Sequence, residues 1–163
     1  MTLDNVNVGL ANFWKVTCLD KDGNIKWEEN KKNIIVTAGL NHILDTQFHA
    51  STQVTTWYIG LKGAGTPIAA DTMESHSSWA ELTGYSGNRK EWTEGAASSG
   101  SMTNSSSVDF TINATATVAG AFLNTASTGT SGTLYGVVDF SSSRAVISGD
   151  TLQVPVTVTA ASA

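Results

Sequence analysis

From Thr93 onward the chain is built largely from Ser, Thr, Ala, Gly and Val with few charges, and it closes on the alternating run Thr151-Leu-Gln-Val-Pro-Val-Thr-Val-Thr159. Side chains alternate across a strand with period two, so Leu152, Val154, Val156 and Val158 share one face. Gln153, Pro155, Thr157 and Thr159 take the other. Pro155 has no N–H to give to a ladder, which predicts a sheet border or a bulge at that point. A chain written this way builds surfaces and carries little of what catalysis needs.

Its 163 residues suit one domain with a real core. Charged residues make up 14% of the chain, against about 25% in an average soluble domain, so solubility rests on hydroxyls and amides. Scarce charge points to a surface covered by partners, although exported β-proteins share the trait. The net charge is −5, and the lysines gather early, at Lys15, Lys21, Lys26, Lys31 and Lys32. No basic stripe follows them, and without clustered cations to displace counterions a nucleic-acid partner is not expected. The single cysteine, Cys18, lies in an apolar run and reads as a buried small hydrophobe, with no internal disulfide available to it. No stretch approaches the ~18–20 apolar residues of a membrane span, and Met1-Thr-Leu-Asp-Asn-Val6 lacks the cationic start and apolar core of a signal peptide. The expectation is synthesis in the cytoplasm with no membrane partner.

Along the chain, Val6, Val8 and Leu10 alternate with Asn5, Asn7 and Gly9, which suggests an N-terminal arm over residues 1–10 ahead of one domain over residues 11–163. Phe13–Leu19 and Ile25–Asn30 flank Asp22-Gly23, a strong hairpin turn because Gly accepts the positive φ a tight turn requires. A strand at Asn33–Thr37 leads into a helix over Ala38–His49. Thr37 is its expected N-cap, and Leu40, Ile43, Leu44, Gln47 and Phe48 form the stripe that should lie on a sheet. Thr55–Lys62 reads as a strand with Trp57, Ile59 and Leu61 inward. Asp71-Thr-Met-Glu74 resembles a capping box and predicts a short second helix toward Leu82, anchored by Trp79. Further strands are expected at Arg89–Thr93, Val108–Asn113, Val118–Leu123, Leu134–Phe140, Arg144–Ile147 and Thr151–Thr159, with a small-residue loop over Gly95–Ser107. Strands so spaced define a mainly β fold, a jelly-roll-like antiparallel β-sandwich with one or two short helices.

Candidate chemistry is sparse. His42, Asp45 and His49 share a helix face but lie opposite the apolar stripe, which makes them an ordinary solvated face and not a metal site. Glu81, Glu91 and Glu94 could supply a carboxylate pair, yet nothing places two of them at a catalytic separation. Gly63-Ala-Gly65 runs into Thr66-Pro67, a turn and not the start of a nucleotide-binding helix. The chain carries no nucleophile elbow, zinc-protease, Cys-x-x-Cys or P-loop motif, so no catalytic residue, cofactor or metal is called for. Five tryptophans, at positions 14, 27, 57, 79 and 92, raise core packing first and sugar stacking second. Trp27 and Trp92, beside Lys26, Glu28, Glu91 and Thr93, are the pair expected to be partly exposed. With Val6, Val8, Leu10 and Pro155 they form the candidate interface residues.

Three passages, Ile34–Asp45, Thr55–Leu61 with Ala70–Met73, and Phe140–Leu152, together resemble a family of small structural proteins of tailed bacteriophages and prophages. The resemblance spans roughly residues 13–159 and contains no catalytic motif. It implies a virion component, a capsid cement or decoration protein that sits as a homotrimer on the outer surface of the head and binds the major capsid protein and its own copies. The N-terminal alternation could then pair with a strand of a neighbour. A tail or fibre-associated protein that binds host glycan through exposed aromatics is the alternative reading.

Overall fold

The computed structural model describes residues 8–162. Its first hairpin joins β1 (Val8–Leu19) to β2 (Ile25–Lys32). Gly23 takes φ +85°, and Asp20 closes the turn by accepting the N–H groups of Asp22 and Asn24 at 2.9 and 2.8 Å. The expected turn is therefore present, with Asp20 as its organiser. Then come β3 (Ile34–Ile35), α1 (Thr37–Phe48), β4 (Trp57–Gly65), β5 (Trp79–Leu82), β6 (Lys90–Trp92) and β7 (Ser101–Thr103). The chain finishes with β8 (Asp109–Thr111), β9 (Ala116–Asn124), β10 (Leu134–Val146), β11 (Thr151–Gln153) and β12 (Val156–Ser162).

These strands make two antiparallel sheets, a β-sandwich with one helix among the described residues. The first runs β7-β12-β1-β11-β8, with β2 also on β1; the second runs β3-β10-β9-β4-β5, with β6 also on β4. The closing alternation behaves as read: Leu152, Val154 and Val156 are fully buried and Val158 half-buried. Pro155 interrupts that strand rather than bordering the sheet. β11 pairs with Thr17–Leu19 and β12 with Val8–Trp14, while Lys15 N–H donates to the Pro155 carbonyl across the break. Asn104 supports it from the side, its Oδ1 accepting Val156 N–H at 2.7 Å and the Trp92 indole N–H at 2.8 Å. The strands expected at Leu134–Phe140 and Arg144–Ile147 are one strand, β10, whose register against β9 slips between Asp139 and Arg144.

The sandwich core holds Trp14, Val16, Cys18, Ile59, Leu61, Phe110, Leu123, Val138 and Leu152. A second cluster comprises Val36, Met73, Trp79, Phe122, Leu134 and Val137. Phe122 lies between Ala121 and Leu123, which belong to the first core, so strand alternation puts this cluster on the opposite face of the second sheet. That sheet is buried on both faces.

The cover over the second cluster replaces the expected helix at Asp71–Leu82. Asp71 does not start a helix: its Oδ2 accepts Ile68 N–H at 2.8 Å, behind it in sequence, and the Trp79 indole N–H at 3.0 Å. A buried indole N–H outcompetes helix capping for this carboxylate, because an unmet polar group there costs about 1–3 kcal/mol. Trp79 is an anchor as expected, but from a strand. Thr37, the expected N-cap, is the first helical residue, and Val36 precedes it with no side-chain cap. Strand β7 forms inside the expected 95–107 loop. Of the expected arm, residues 8–10 open β1 opposite Ala160–Ser162 of β12, and Val6 lies outside the described residues.

Candidate binding surface

Helix α1 reaches the sandwich by its smallest residue. Gly39 is its buried residue, and a Cβ there would run into the Tyr135 backbone. This close approach selects the inward face: Gly39, His42, Ile43 and Thr46 turn toward the sheet, at spacings of three and four. The expected stripe is thereby split. Ile43 packs on the core, whereas Leu40, Leu44 and Phe48 are 38%, 55% and 80% exposed. His42, expected to be solvated, is half-buried, with its ring edge-on to Trp57 at 5.5 Å. Trp57 in turn meets Tyr135 at 5.7 Å. His49 stays outside, 3.5 Å from Asp45, and no group of three metal-ligating side chains occurs among the described residues.

Two concavities meet at Ile43 and Trp57. An inner cleft of about 210 Å³ is walled by Leu10, Trp92, Met102 and Val158 and is almost wholly apolar. An outer groove of about 270 Å³ lies between α1 and residues 53–57, walled by His42, Thr46, Gln47, Phe48 and Gln53. The sequence pointed to other aromatics. Trp92 is 4% exposed and holds Asn104; Trp27 is half-buried, 5.9 Å from Phe140 and 5.8 Å from the Arg144 guanidinium. Trp27 is thus partly exposed as expected, and only at Trp92 did the charged neighbour mislead: in a strand, residues i−1 and i+1 point to the opposite face, so Glu91 accompanies an inward tryptophan. The signal that could have found the groove is Gly39, a glycine inside a helix, where such a residue costs helix stability and implies close packing.

Several charges are engaged structurally. Arg89, 4% exposed, forks onto Glu81 at 2.8 and 2.6 Å and donates to the Ala126 and Gly129 carbonyls, fixing the loop after β9. Glu91 and Glu94 are exposed and unconnected to it by any ion pair among the described residues. Lys62 is fully buried; its stem crosses Gly120 of β9 to reach Asp139 of β10 at 2.6 Å, and its ammonium also donates to the Gly63 and Gly65 carbonyls. Glu29 joins β2 to Arg144 of β10 at 2.5 Å; burial pushes its carboxyl up, and the Arg144 and Ser141 hydrogen bonds outweigh that, leaving it below the usual range. Lys26 meets Asp150 at 2.5 Å, and that hydrogen bond raises its ammonium. Burial, with Asp150 adding to it, pushes the Cys18 thiol up to about 11, consistent with an inert core residue.

The buried charges Glu29, Lys62, Arg89 and Asp150 are each paired inside the sandwich, and the groove beside α1 is lined by rings, a hydroxyl and amides. The family model described as podophage GP4 fiber I protein gp80 matches residues 31–161, from the end of β2 through nearly all of β12, and the chain belongs to that family. It is a bacteriophage virion structural protein. No curated protein matches it.

Proposed function

We propose that this chain is a fibre-associated structural protein on the tail of a podophage, acting by adhesion and without a catalytic step. The family match carries the reading, since it covers α1, the whole second sheet and the first sheet apart from β1 and most of β2, and its description is that of a fibre protein. The surface supports it. An exposed Phe48, a half-buried Trp57 and neutral amides surround an open groove at one end of the sandwich. Self-association into a trimer belongs to the same reading, because weak contacts repeated around a symmetry axis give strength without large area. Among the contact residues expected from the sequence, half-buried Leu10 and Pro155 keep access to a neighbour, whereas Trp92 does not.

The capsid cement reading, with the major capsid protein as partner and the outer head as location, draws on the same low charge. The fibre description weighs against it. Immunogold labelling of intact virions, with copy number per particle, separates the two. Gold on the tail and few copies are expected; gold over the head, with copies in the hundreds matching a shell lattice, would overturn the proposal.

A further inference from the structure

The outer groove differs in chemistry from the cleft beside it. Two rings line it, Phe48 at 80% exposure and the half-buried Trp57, with His42 edge-on to the latter. The exposed amides of Gln47 and Gln53 face the same space, and Thr46, whose Oγ1 has no hydrogen-bond partner among the described residues, lies on its wall. No Asp, Glu, Lys or Arg lines it. Its volume of about 270 Å³ falls just below the ~300–1,000 Å³ of drug-sized sites, which suits one or two small rings.

Each candidate occupant makes different demands. A wholly apolar ligand would strip water from two amides and return no hydrogen bond. An anionic ligand finds no cation in the lining, on a chain already carrying −5. A pyranose suits both kinds of wall, because its C–H face is apolar and its rim hydroxyls need donors and acceptors. A carboxamide supplies both from one group, and an aromatic face takes the C–H side. The geometry points to a subsite for a neutral sugar of a bacterial surface polysaccharide in this groove, with Trp57 and Phe48 as stacking rings and Gln47 and Gln53 as hydrogen-bonding groups. The sugar's source rests on the fibre reading; the site rests on the groove.

Saturation-transfer NMR and tryptophan fluorescence on the full chain test this, using neutral di- and trisaccharides of glucose, galactose and rhamnose, with uronic-acid oligosaccharides as the charged comparison. At least one neutral sugar should bind saturably, and Gln53→Ala and Phe48→Ala should each weaken it by about tenfold or more. Both positions are exposed, so circular dichroism and the thermal midpoint should match the parent. The subsite is overturned if no neutral sugar binds, if uronic acids bind as well or better, or if Gln53→Ala keeps full affinity. It also falls if light scattering finds the parent self-associated and Phe48→Ala releases monomers, since a second copy would then occupy the stripe. Virion labelling reads out separately: Gln53-dependent sugar binding beside head-localised gold keeps the site and removes the fibre, and tail-localised gold without sugar binding does the reverse.

Discussion

Two regions bordering the second sheet are built on opposite principles. On the side of residues 66–79 the buried polar side chains tie segments together: Asp71 holds Trp79 and Ile68, Lys62 holds Asp139 and two carbonyls, and Arg89 holds Glu81 and the loop after β9. Around α1 the helix touches the sandwich through Gly39 and Ile43 and leaves Leu44 and Phe48 in water. The tied face stabilises the fold, and the loose one is free to meet something else. Substitutions should therefore cost stability on the first and binding on the second.

The largest effect is expected from Trp79→Ala, which empties the second cluster and leaves Asp71 buried with one partner fewer. Urea unfolding should lose about 3–5 kcal/mol; a loss below 1 kcal/mol would mean the cover is not a packed layer. Next, Gly39→Ala sets a helix-propensity gain of ~1 kcal/mol against a collision with the Tyr135 backbone, and overpacking of ~1–3 kcal/mol should prevail. Because α1 must lift away, Trp57 fluorescence should shift along with the midpoint.

How much of this was legible in the sequence follows from which partners were local. The Asp22-Gly23 turn, the burial of Cys18 and the alternation of Leu152, Val154 and Val156 depend on neighbours within a few positions, and each is present as read. The face of α1 was not, because a 3.6-residue period identifies a stripe without saying whether a glycine will bring the opposite side closer. Asp71 through Glu74 matched a capping box locally, yet Trp79 and the reach back to Ile68 claimed the carboxylate. Arg89 meets carbonyls 37 and 40 residues away, a pairing no spacing rule exposes. The groove was missed for a related reason: a charged neighbour was taken as a sign of exposure at Trp92, while Phe48 was placed on the stripe expected to lie across a sheet.

Acid titration sharpens the comparison at smaller scale. The Glu29 carboxyl is held below its unfolded value, so its contribution is present above the ordinary carboxylate range and is lost as pH falls through the folded value. Stability measured from neutral pH downward should therefore drop more steeply in the parent than in Glu29→Gln, whose neutral-pH stability is already reduced. An equal slope in both would remove Glu29–Arg144 as an acid-sensitive tie between the sheets. The smallest stability effect belongs to Phe48→Ser, within about 0.5 kcal/mol of the parent by thermal melt. A larger destabilisation would mean that this ring supports the fold and is not a spare surface.

A cryo-EM map of the intact virion tests the central claim most directly, because it locates the sandwich and whatever touches α1 in a single experiment. The account predicts sandwich density in a tail fibre, with the groove between Phe48 and Trp57 open to solvent. Copies arrayed on the head shell, or α1 sealed against another virion subunit, would contradict it.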